Sequence, residues 1–103
     1  HKIDSGTFHN YLRPGYNIIF KPGSKWFNKV NVGDKLDLYN GSVLLAGSCP
    51  VDAVVTIPFW KIRETELRLN HKGLSRDDLK NDLMKGCDDN KSQLIVTMIL
   101  TCV

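Results

Sequence analysis

The sequence predicts an α+β fold: a small curled sheet of about five to six strands, with two or three short helices at one side. Three observations predict it. Turn formers divide the first half into short runs, at Pro14-Gly15, Pro22-Gly23-Ser24, Gly33-Asp34, Asn40-Gly41 and Gly47-Ser48. The runs between them are β-prone and of ordinary strand length. After Pro58 the spacing becomes helical, and Gln93 to Val103 returns to an apolar strand pattern.

Each element has its own signal. Phe8 to Arg13 and Tyr16 to Lys21 read as strands. In Lys35 to Tyr39, Leu36 and Leu38 alternate with charged residues, as a half-buried strand requires. Val51 to Phe59 carries β-branched Val54, Val55 and Ile57 before Pro58 interrupts it. Thr65 to Leu69 reads as a short helix that Gly73 breaks. Ser75 then caps a second helix, with Asp77 and Asp78 in the first turn, where the helix dipole favours acids. Leu79 and Leu83 stand at i, i+4 and give this helix an apolar stripe; Gly86 ends it. The final strand has apolar residues on both phases. It is therefore covered on both faces or central to a closed barrel.

At 103 residues the chain supports one domain, spanning 1–103. Its longest nearly apolar run, Leu94 to Val103, is about half of the roughly 20 residues that a membrane helix needs. No cleavable signal pattern is visible, and the first residue, His1, leaves the native N-terminus open. Cys49, Cys87 and Cys102 are odd in number and lack a CxxC pair, so a disulfide framework is not indicated and a reducing, cytoplasmic location is expected. His1, His9 and His71 show no ligand spacing; no metal and no cofactor are expected.

The net charge of +3 is unevenly held. Lys2, Arg13, Lys21, Lys25, Lys29 and Lys35 face only Asp4, Asp34 and Asp37 in the first forty residues, while the remainder balances. Such a field favours an anionic partner, RNA or a nucleotide. Two constellations could use it. Tyr11 and Arg13 share a strand phase and project to one face, a phenol beside a guanidinium fork that suits a nucleobase. Lys21, Lys25, Trp26 and Lys29 form a basic loop with an aromatic interleaved, the composition that holds single strands by stacking and phosphate neutralisation. Lys72, just before the Ser75 cap, could join a helix N-terminus in binding phosphate. The structural alternatives are Arg13 paired with a carboxylate, Tyr11 in the core and Trp26 capping the sheet end.

The segment Val32-Gly33-Asp34-Lys35-Leu36-Asp37-Leu38 resembles the strand entry of ASCH domains, members of the PUA-like β-barrel superfamily. The order of Thr65–Leu69, Leu74-Ser75-Arg76-Asp77-Asp78-Leu79-Lys80 and a terminal strand is similar to small bacterial ASCH proteins that hydrolyse N4-acetylcytidine. The resemblance covers most of the chain and implies a closed PUA-like barrel. In the signature Gly-x-Lys-x-x-(Thr/Glu)-x-Arg of those enzymes, Gly6 and Arg13 fit, but Phe8 replaces the lysine and Tyr11 the hydroxyl or acidic residue. Lys72 falls where they carry an acid. Phe8 can act neither as base nor as nucleophile, so the resemblance implies binding of RNA or a modified nucleoside without catalysis. The alternatives are a divergent nucleoside amidohydrolase or small ribonuclease, and a protein-interaction factor that blocks a nucleic-acid enzyme.

Overall fold

A computed structural model of the chain describes residues 1–4, 12–69, 74–85 and 94–103. Five strands form one mixed sheet: β1 (Lys2–Asp4), β2 (Tyr16–Pro22), β3 (Lys35–Asn40), β4 (Val43–Pro58) and β5 (Ile95–Cys102), in the order β1-β3-β4-β5-β2. Only β1 and β3 run parallel. Three α-helices accompany them: α1 (Lys25–Lys29), α2 (Glu64–Leu67) and α3 (Arg76–Lys85), with a 3-10 turn at Phe59–Lys61. The α+β class expected from the sequence is borne out. Among the described residues the sheet is open, with β1 and β2 as its edge strands. Along the outer edge of β2, Ile18 N–H donates to the Leu69 carbonyl (2.7 Å).

The sheet curls because β4 serves two half-sheets. Its first part pairs with β3 and its second with β5. Between them Leu36 opposes Cys49 and Leu38 opposes Ala46, so Gly47 and Ser48 together face the single residue Asp37. That is a β-bulge, which bends a strand and raises its twist. Ser48 takes a positive φ of 56°, and its N–H donates to Asp37 Oδ1 (2.9 Å). Asp52 is a second extra residue, between Val51 and Ala53. Gly47-Ser48, expected to be a turn, is therefore a bend within one strand.

The curl gives the central strands two cores. On one face, Ile18, Phe20, Val96 and Met98 pack with Phe59, Ile62, Leu67, Leu79 and Leu83 from the helical layer. On the other, Ile19 and Ile99 pack with Ile3, Val30, Leu36, Leu38, Cys49 and Val51. The terminal strand is thus covered on both faces, as its two-phase pattern predicts. Its buried hydroxyls are satisfied: Thr97 Oγ1 donates to the Gly23 carbonyl (2.7 Å) and Thr101 Oγ1 to the Pro50 carbonyl (2.8 Å). In α3, Ser75 Oγ accepts the Asp78 N–H (3.3 Å), and Leu79 and Leu83 are buried, as expected. No helix among the described residues is long and apolar enough to cross a membrane.

Candidate nucleic-acid interface

Strand β2 delivers the candidate residues to two separate places. Arg13 precedes it and Trp26 follows it. Seven steps from Gly15 to Pro22, at about 3.3 Å each, separate the ends by roughly 20 Å.

At the far end, after Pro22-Gly23-Ser24, the basic run is not a loop but the helix α1. Lys25 and Lys29 stand at i, i+4 and share a face. Trp26 is half-buried against the second core cluster, which fixes the helix to the sheet. Its ring also faces cations: Lys29 Nζ lies 4.5 Å and Lys21 Nζ 5.7 Å from the ring centroid. Lys21 comes from β2 and shares its phase with Asn17 and Ile19, which places it on the α1 side of the sheet. The expected group of Lys21, Lys25, Trp26 and Lys29 is therefore gathered at one place. One part of the ring anchors the helix to the sheet and the rest faces lysines.

At the near end, the Arg13 guanidinium donates to the Arg68 carbonyl through Nη2. The Arg13 backbone is clamped by buried Asn17, whose Nδ2 donates to the Arg13 carbonyl (2.8 Å) and whose Oδ1 accepts the Arg13 N–H (3.3 Å). Arg13 is thereby tied to the α2 segment, and it is apart from the lysine group. Tyr11, Lys72 and the positions Gly6 and Phe8 lie outside the described residues, so the paired Tyr11–Arg13 platform does too.

An apolar pocket of about 170 Å³ opens on the helical face, lined by Ile18, Ala53, Val55, Met98, Leu100 and Glu66. Its single carboxylate is already engaged. Burial pushes the Glu66 carboxyl upward, but the Arg63 backbone N–H (2.8 Å to Oε1), the Arg63 guanidinium and its charge outweigh this and hold it below the usual range. A nucleoside needs convergent polar groups, and this pocket supplies none beyond that occupied carboxylate.

Trp60 is the residue that sequence reasoning missed. It is 70% exposed, with Lys61 Nζ 5.1 Å from its ring centroid. The available signal was its position two residues after Pro58, where the strand ends and the chain turns. Among the described residues no cluster of His, Cys, Asp or Glu could hold a metal ion. Comparison with protein-family models, with curated proteins and with solved structures finds no match to this chain.

Proposed function

We propose that the chain is an ASCH-type, PUA-like domain that binds single-stranded RNA or a modified nucleoside and carries out no catalysis. The observation that carries this reading is the Trp26 indole, anchored on one side by the core and met on its free side by Lys29 and Lys21. Magnitudes favour a base there. An exposed cation–π contact is worth about 0.5–1 kcal/mol, whereas a base stacked on an aromatic ring is worth about 1–3 kcal/mol. An arriving base therefore displaces an ammonium from the ring, and the flexible lysine is left beside the strand's phosphates. The bulge-driven curl of the sheet and the Val32–Leu38 strand entry support the PUA-like assignment. The free thiols of Cys49 and Cys102 suit a reducing, cytoplasmic setting.

Fluorescence anisotropy of labelled single-stranded RNA at two salt concentrations tests the reading. If Lys21, Lys25 and Lys29 neutralise three phosphates, the slope of log K against log salt is about −2. Absence of binding at low salt, or binding indifferent to salt, would overturn it.

A further inference from the structure

The helical layer covers one part of its sheet face and leaves another open. Cross-strand partners share a face, so the register lays out rows across β2, β5 and β4. They are Phe20, Met98 and Val55, then Ile18, Leu100 and Ala53, then Tyr16 and Cys102. Phe20 and Met98 belong to the core cluster beneath the helices, whereas Val55 is 44% and Tyr16 52% exposed. Between these limits lies the pocket of about 170 Å³. Ile18, Ala53, Val55, Met98 and Leu100 line it, and the helical layer contributes Glu66 alone. Ala53 offers one methyl group where its row-mates Ile18 and Leu100 offer branched chains.

The polar groups at this pocket are carboxylates. Glu66 Oε1 accepts the Arg63 backbone N–H at 2.8 Å and Nε at 3.4 Å. Among the described residues Oε2 accepts only the Arg63 Nη2, at a long 3.4 Å, from a side chain that is 77% exposed. A carboxylate has about four lone-pair sites, so Oε2 has room for another donor. In the next row, the charge of Asp52 and its bond to the Tyr16 hydroxyl push that phenol above its ordinary value, which places a second carboxylate on this face. We infer that the pocket binds a small organic cation, one aromatic ring or branched alkyl group of about six to eight carbons, with its ammonium directed at Glu66 Oε2. The volume suits this class, since a cavity of about 150 Å³ lined by apolar side chains holds one benzene molecule. A single ammonium asks for one acceptor, where a nucleoside asks for several, and an anion would meet two carboxylates. Trp26 packs on the opposite face of the sheet, so the inference goes beyond the nucleic-acid reading and does not depend on it.

The full chain is titrated at neutral pH with benzylamine, benzyl alcohol and benzoate, which carry one ring with positive, zero and negative charge. Methyl resonances of Ile18, Val55, Met98 and Leu100 report binding at the pocket. Benzylamine is expected to shift them and to saturate in roughly the millimolar range. Benzyl alcohol is expected to bind about 2- to 5-fold more weakly, the effect of one part-exposed ion pair, and benzoate more weakly still. Glu66→Gln is expected to erase the difference between amine and alcohol while the alcohol binds as before. Ala53→Leu, which fills the hollow, is expected to abolish binding of all three, with circular dichroism checking the fold. The parent's methyl shifts carry the test if that variant does not fold. Benzylamine that moves none of these methyls, benzoate that binds as tightly as benzylamine, or a folded Ala53→Leu that binds as the parent does would overturn the inference. Anisotropy with RNA is independent of these outcomes, because the pocket and Trp26 lie on opposite faces.

Discussion

Lys29 is the residue whose replacement separates charge from packing at the candidate interface. Its ammonium is 4.5 Å from the Trp26 centroid, and its residue is exposed. Lys29→Gln is expected to leave the melting temperature unchanged and to make the salt slope shallower by about 0.7, one phosphate contact of a single strand. A buried residue gives the opposite kind of test. Burial, then the nearby charges of Asp37 and Cys102, pushes the Cys49 thiol above its ordinary value. Being both protonated and enclosed, it is expected to react with iodoacetamide at pH 8 far more slowly than in urea. Alkylation at equal rates in the two solvents would contradict the packing described here. Residue identity alone located the lysines and Trp26. It did not reveal what Arg13 does, because its partner, the Arg68 carbonyl, lies far along the chain and no local phase rule reaches it.

Elements with a long or regular pattern were legible in the sequence, and those defined by their partners were not. The alternation of β3, the two-phase run of β5 and the capped stripe of α3 each matched a period, and each formed where expected. Strand β1 is three residues, held by parallel pairing to β3, and so short a run carries no period. Helix α1 spans five residues, barely more than one turn, so its lysines read as a loop. Strand β4 was seen only from Val51 because Gly47-Ser48 looks like a turn until Asp37 accepts the Ser48 N–H. That bond can be tested. Asp37→Ala is expected to destabilise the fold by about 1–3 kcal/mol in urea unfolding, through loss of a charge-assisted acceptor at the bend. At α2, the carboxyl of Glu66 is lowered in the folded chain, so its contribution is present above the unfolded carboxylate value and is lost as pH falls through the folded one. Stability measured downward from about pH 5 should therefore fall less steeply in Glu66→Gln than in the parent. An equal slope would show that the Arg63–Glu66 bonds contribute nothing.

For the whole molecule, the sequence's charge asymmetry becomes a spatial one in part. Of the six cations of the first forty residues, Lys21, Lys25 and Lys29 gather at the end of β2 where α1 begins, Arg13 is tied down at its other end, and Lys2 and Lys35 lie on β1 and β3. Strands β2 and β4 both run antiparallel to β5 and therefore finish at the same end of the sheet. The measurement that tests this account most directly is ultraviolet cross-linking of single-stranded RNA to the full chain, followed by peptide mapping. Cross-links are expected in the peptide that contains Trp26, and they should vanish at high salt. Cross-links confined to the Arg13–Arg68 end of β2, or none at low salt, would contradict it.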